Sequence, residues 1–509
     1  MEQGKGKAGS EDPAQTGMDT DSISLDEAVC NPYDPEFPDE DYPDEDEIGP
    51  RDSERENLEE PEEEDDLSFP QNDTGNARRL VAINGKNMRF AAGWWYLWNG
   101  RVWQRVEDSA ALAKTADVPF ELEEEAEDFQ AVTKEEEKIQ RAMRAFAVKS
   151  GDLSRRCNML ELAKSEPGIT VEHDCFDADP WKLACPDHTI DLRTGLGYQH
   201  SRENMITVCT PTVPGGKAPR FRRFIEEIFD GDRELIGFMQ RSLGYALTGD
   251  RSEQCLWILN GPGANGKSKL MDSVAHALGK DLAKHADIST FLHNPSRGIP
   301  EDRARLAGSR MVITGEPANS SLGLDEGFLK VATGDSTTTA RFLHRDTFEF
   351  TPQFKLFIST NHLPRIVGKD NGIWRRIRLV EFKRTFERDA EPDLEAKLFA
   401  EAPGILAWML EGLRDYVARG YKLDAPSSVL KDTQFYRDNS DPVRLFVDEF
   451  RDPPGREAVS DIYRAYRSWC QENGYFPLSK GNLGTALESL GITQCRGNGG
   501  IYMRRGLTL

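Results

Sequence analysis

The chain has 509 residues, a formal charge of −24 and eight cysteines, a length that accommodates roughly two to four domains, each with its own core. No apolar run approaches the ~18 residues of a membrane span, and no basic-then-apolar signal pattern opens the chain. The cysteines lack paired spacing, which fits free thiols better than a disulfide framework, and a soluble protein of a reducing cytoplasm is expected, with no membrane partner.

The acidity is local. Residues 1–75 carry 27 Asp and Glu against 4 Lys and Arg, which leaves 61 acidic and 60 basic side chains in the remainder. A segment so charged and poor in apolar residues cannot offset its chain entropy, so 1–75 is expected to be a disordered acidic tail. It either solubilises the chain or acts as a DNA-mimicking or partner-docking arm. The rest is close to neutral, so nucleic acid is not excluded as a partner.

Residues 76–215 read as a mixed α+β domain. Arg89 to Arg105, rich in Trp and Arg, predicts two strands around an Asn99-Gly100 turn. Its aromatics suit a strand core and, as a second possibility, stacking on single-stranded bases. Lys134 to Ser150 predicts an amphipathic helix. His173-x-Cys175 with Cys185-x-x-His188 imitates zinc spacing, but the first pair lacks the gap of about two to four residues that zinc sites use. Asp177-Ala178-Asp179 resembles paired metal-binding acids of a polymerase, without a recognisable third acid. Pro214-Gly215-Gly216 marks a boundary, and 216–250 predicts two amphipathic helices as a linker or collar.

The most informative stretch is Gly261-Pro262-Gly263-Ala264-Asn265-Gly266-Lys267-Ser268, of the form G-x-x-x-x-G-K-S. Leu256 to Leu259 before it reads as a buried strand, and Lys269 to Leu278 after it as a helix. In that context backbone N–H groups and a helix N-terminus face one anionic ligand. Gly261, Gly263, Ala264, Asn265 and Gly266 let the backbone curl around phosphate; Lys267 reaches the outer phosphates, and Ser268 can hold Mg²⁺. A nucleoside triphosphate with Mg²⁺ is the expected ligand. The domain is assigned to 251–386, with a helical extension over 387–435.

Further along, Arg310 to Glu316 reads as a buried strand ending in a carboxylate, which can sit beside Mg²⁺ and polarise water. Lys355 to Asn361 is a second apolar strand ending in an amide that can sense a γ-phosphate. Arg375 and Arg376 can supply a guanidinium to the transition state, often for a neighbouring subunit. Between the strands lie Lys330-Val-Ala-Thr-Gly334-Asp335 and a hairpin, Phe342 to Phe350, with His344 and Arg345 at its tip, suited to gripping a phosphate backbone. Residues 436–509 predict three helices and a wing-like hairpin, a winged helix, in which Lys480 and Asn482 on the third helix and Arg496, Arg504 and Arg505 on the wing could meet DNA.

In this order, these motifs resemble a superfamily 3 helicase. Gly-Ala-Asn-Gly-Lys-Ser, with Thr248-Gly249-Asp250 upstream, is similar to the phage and plasmid primase–helicase family, which includes the poxvirus primase-helicase; the resemblance covers about 150–509. It implies an α/β fold with a P-loop NTPase core of the AAA+-like superfamily 3 type, between a mixed α+β domain and a winged helix. The implied activity is ATP-dependent DNA helicase in phage or mobile-element replication, on single strands and forks, as a homo-hexamer in a bacterial cytoplasm beside a host or phage polymerase or primase. By resemblance, Lys267 and Ser268 bind ATP and Mg²⁺, Glu316 positions water and assists the metal, Asn361 is the sensor, and Arg375 or Arg376 is the finger. Lys330, His344, Arg345, Lys480 and Arg504 are the DNA-contact candidates. Gly315-Glu316 departs from the paired acids of many members, and the tail stands where larger members carry a primase, so a helicase without primase is expected. The alternatives are an initiator or loader assembled by ATP and a primase-helicase with weak primase activity.

Overall fold

A computed structural model of the chain describes residues 69–293, 301–315, 323–334, 337–341, 347–366, 371–386, 391–473, 475, 477–497 and 501–509. Contacts divide the chain into Met1–Asp66, which falls outside these residues, and Leu67–Leu509. The folded part starts earlier than the expected tail boundary at residue 75. A helix over Asp73–Asn84 is capped by Asn72, whose side chain accepts from the Gly75 N–H, and Arg79 lies over the Phe69 ring. A cap of this kind satisfies a donor that would otherwise be orphaned at the helix start.

The first domain packs this helix against Leu153–Ala163 and against the pair Asp117–Asp128 and Lys134–Ser150. The Lys134–Ser150 helix keeps its predicted bounds because Thr133 and Glu136 form a capping box. The aromatic stretch forms three antiparallel strands, Met88–Ala91, Trp94–Trp98 and Trp103–Val106, rather than two. The extra turn is Ala92-Gly93, both at positive φ, a pair that carries a weaker turn signal than Asn-Gly. Trp95 and Trp103 are buried, so these aromatics serve mainly as core.

The central sheet has five parallel strands: β1 (Leu256–Asn260), β2 (Ala283–Ala286), β3 (Met311–Thr314), β4 (Lys355–Thr360) and β5 (Ile377–Glu381), in spatial order β5-β1-β4-β3-β2. Their near-continuous apolar runs follow from burial on both faces. Along β1, Trp257 and Leu259 point into one core and Leu256 and Ile258 into another. The first core is closed by the helices Pro219–Ile228, Arg233–Tyr245 and Ala402–Ala418 and also takes in Trp181, Leu183, Ile190 and Leu192. The regions assigned to collar and extension therefore cover one sheet face together. On the other face a helix over Ser427–Asn439 lies against β5 and crosses the expected boundary at 435/436.

The C-terminal unit has helices Pro442–Phe450, Val459–Glu472 and Lys480–Ser489 around Phe446, Tyr466 and Trp469. Its sheet contains the predicted hairpin, Thr493–Arg496 with Tyr502–Arg505, and a third strand, Arg456–Ala458, beside Tyr502–Arg505.

Candidate nucleotide-binding site

The loop between β1 and helix α1 (Lys267–Leu278) forms the site. Gly266 caps α1 at φ 87°, and a Cβ there would lie 2.6 Å from Ile228. Gly261 has φ 152°, with Phe382 O only 2.5 Å from an added Cβ. Both positions therefore require glycine. Gly263 faces open space, and Ala264 and Ser268 are exposed. The loop thus has a packed back and an open front.

Lys267 is buried, and its Nζ donates to Gly261 O at 2.6 Å, Asn265 Oδ1 at 3.1 Å and Asn361 Oδ1 at 3.1 Å. Asn361 reaches it because β4 lies directly beside β1, with Thr360 opposite Asn260. Asn265 is buried, and its Nδ2 has no partner among the described residues. An orphaned donor in this position costs free energy unless an acceptor arrives, so the loop is suited to a phosphate oxygen.

Supporting contacts that sequence reading missed hold the loop from behind. Asn260 Nδ2 donates to both Glu381 oxygens, at 2.9 and 3.1 Å, tying together the ends of β1 and β5. The Phe386 N–H donates to Ala264 O at 2.7 Å. Arg384, on the same segment, lies exposed over Phe386 and donates to Glu227 O. These pairs are far apart in sequence and carry no local pattern.

On the other side of β4, β3 ends at Thr314, whose buried hydroxyl lacks a partner among the described residues. Glu316 lies just beyond, outside the described residues, as do His344 and Arg345. The hairpin that carries those two has its strands at Thr338–Arg341 and Thr347–Phe350. Lys330 lies half-buried on the helix Glu326–Thr333.

The two arginines differ. Arg376 is buried: its Nε donates to Thr333 Oγ1 at 3.0 Å, and its other nitrogens reach Gly372 O and Gln254 Oε1. Arg375 is exposed, with one bond to Gln254 Oε1 at 2.9 Å. Both precede β5, which runs parallel to β1 with Ile377 opposite Leu256. They therefore stand at the end of the sheet away from the loop, about 16 Å off at ~3.3 Å per residue.

In the C-terminal unit Arg504 is buried, donating to Ile492 O at 2.8 Å and pairing with Glu488 at 3.2 Å. This corrects the expectation that it meets DNA: its guanidinium is held inside the unit. Lys480, Arg496 and Arg505 are exposed. Asp177 and Asp179 do not form a paired acid site. Asp177 accepts from the Thr207 N–H at 2.9 Å and from its hydroxyl, and burial raises its carboxyl above the usual range. Asp179 turns to Trp181 N, Arg193 and Lys182. No group of three or more His, Cys, Asp or Glu among the described residues could hold a metal, the His173–His188 region included.

Residues 77–230 match the family described as D5 N terminal like, and residues 438–491 the family described as Poxvirus D5 protein-like. The chain carries D5-type domains. Between them, residues 259–376 match a family of unknown function. A protein of Acanthamoeba polyphaga mimivirus named "Putative helicase" is 30% identical over 331 residues, 60% of this chain and 33% of its own length. A "Putative helicase" of Frog virus 3 (isolate Goorha) is 28% identical over 358 residues, 64% of this chain and 35% of that one. A "Putative primase" of African swine fever virus is 27% identical over 245 residues, 43% of this chain and 25% of that one. The chain spans about a third of the length of the first curated relatives it matches. Among solved structures, the apo NrS-1 C terminal region is similar at a TM-score of 0.46 and 12% identity, over 84% of this chain and 99% of that one. No described helix is long and apolar enough to cross a membrane.

Proposed function

We propose that this chain is an ATP-driven DNA helicase with a superfamily 3 P-loop core, working as a ring in viral or mobile-element DNA replication. The observation that carries the proposal is the contact of Lys267 Nζ with Asn361 Oδ1 at 3.1 Å, inside a loop with an open front. It brings a cation and a side-chain amide together, which supports reading of a γ-phosphate there. The viral relatives named as helicases support the same reading and favour a viral setting over a specifically phage or bacterial one.

ATP would be held by the loop backbone and Lys267, and Mg²⁺ by Ser268 with Glu316; the metal, when bound, neutralises charge on the terminal phosphates. Glu316 would orient the attacking water. Asn361, released from Lys267, would bond to water or γ-phosphate. Arg375 is the better finger because it is exposed while Arg376 is committed internally. Its place at the far end of the sheet means that it can serve only a neighbouring subunit's nucleotide, which supports a ring with interfacial hydrolysis. The C-terminal unit, in helix and strand order, supports a winged helix presenting Lys480, Arg496 and Arg505. No primase step is assigned to Asp177 or Asp179, whose carboxylates are already bonded.

The test is ATP hydrolysis with and without single-stranded DNA in wild type, Glu316→Gln and Arg375→Ala. DNA-stimulated turnover lost in each variant and partly regained on mixing them is expected. Mixing works because each variant lends its intact residue at some interfaces. ATP binding without DNA stimulation would instead favour an initiator or loader that uses ATP only to assemble.

A further inference from the structure

The nucleotide site leaves unused a cavity of about 670 Å³ at the opposite end of the sheet. Arg105 from the aromatic strands, Lys280 just after α1, Lys284 on β2 and Arg305 ahead of β3 give it four basic side chains. Three carboxylates, Asp174, Asp177 and Asp281, share the lining, but Asp177 is taken up by Thr207. Arg305 has a surface partner in Glu301 at 3.6 Å.

Lys284 is the unusual member. Its Nζ donates to Arg305 O at 2.6 Å and Ala307 O at 3.1 Å. Among the described residues no carboxylate lies within ion-pair distance of it. Burial, opposed by Asp281 and reinforced by Arg105, pulls the amine down to about 8. A half-buried ammonium whose hydrogen-bond partners are neutral carbonyls, among other cations, is stabilised by an incoming anion. Among polar side chains such as Gln104, Thr207 and Gln353, the lining also holds three aromatic rings: Tyr96 and Phe176, stacked at 4.3 Å, and Phe350.

We propose that this cavity binds one phosphate-bearing nucleotide unit, its phosphate among Lys280, Lys284 and Arg305 and its base or sugar against the aromatic wall. The unit belongs to a single DNA strand passing the foot of the Thr338–Phe350 hairpin, of which Phe350 is the last residue. The identity of the ligand as a strand rests on the helicase reading; the anion site does not. Lys280 stands just past the end of α1, so an occupant sits about 18 Å, one helix length, from the phosphate loop.

The experiment compares the full chain with the Lys280→Ala/Arg305→Ala double variant, both positions exposed. Binding of fluorescein-labelled oligothymidylate is followed by anisotropy over a salt series. A second arm titrates dTMP into protein saturated with a non-hydrolysable ATP analogue. Analogue binding and melting temperature report the fold, and Lys280→Glu alone replaces the double variant if that one does not fold. A roughly tenfold loss of oligonucleotide affinity, with the salt slope reduced by about two, is expected, and Lys280→Arg should retain binding. Loss confined to dTMP would place a free nucleotide in the same site. Unchanged binding of both ligands in a folded variant overturns the site. Wild-type protein that binds dTMP but neither ATP nor DNA would instead sink the helicase reading and leave the site standing.

Discussion

Lys267 and Asn361 are separated by 94 positions in sequence and by one hydrogen bond in space. In the folded chain Asn361 holds the lysine that phosphate would claim, so its removal should act on turnover more than on binding. Asn361→Ala is expected to keep affinity for an ATP analogue within about threefold while kcat falls about a hundredfold, as loss of a preorganised polar contact does. Steady-state kinetics beside analogue titration separates the two effects. The arginine pair gives a second contrast. Arg376→Ala leaves the Thr333 hydroxyl, Gly372 O and Gln254 without a buried guanidinium and should cost about 2–4 kcal/mol in urea unfolding. Arg375→Ala should cost little stability, yet abolish turnover.

At the scale of elements, helices Arg233–Tyr245 and Ala402–Ala418 approach closely because each offers a glycine to the other. A Cβ on Gly412 would lie 2.1 Å from Gln240 O, and one on Gly244 would lie 2.3 Å from Leu413 N. Backbone cannot move aside cheaply, so Gly412→Ala should destabilise by about 1–3 kcal/mol, read as a lower urea midpoint. This contact secures the face of the sheet that lies behind the phosphate loop, where Phe224 and Ile228 back Gly266. The C-terminal hairpin makes a similar point. Arg504 and Arg505 are adjacent in sequence, but strand alternation sends one into the unit and the other to the surface.

For the whole molecule, charge is divided between segments. Residues 1–66 carry a net of −22, and the remainder is nearly neutral. If the chain binds DNA as proposed, a tethered polyanion would compete with it for cations. Deleting 1–66 is therefore expected to raise affinity for single-stranded DNA several-fold at low salt, with the difference fading as salt increases. Equal affinity of the two forms at every salt would assign the segment no part in DNA binding.

Several features were legible from sequence because their signals are local. The loop between β1 and α1, the apolar strands ending near Glu316 and Asn361, the Lys134–Ser150 helix and the three C-terminal helices each rest on spacing, periodicity or caps within a few residues. The edge strand Ala283–Ala286, the helix Ser427–Asn439 and the strand Arg456–Ala458 were not legible, being short or weakly patterned. Tertiary structure alone decided what depends on neighbours distant in sequence. Strand order placed β4 between β1 and β3, and so placed Asn361 on Lys267. Burial separated Arg376 from Arg375 and withdrew Arg504 from the surface. Thr207 occupied Asp177, and packing of the first domain against the sheet enclosed the cationic cavity around Lys284. A sequence specifies which side chains are present and which local conformations they favour; which of them meet is fixed only when separate segments bury their apolar faces against one another.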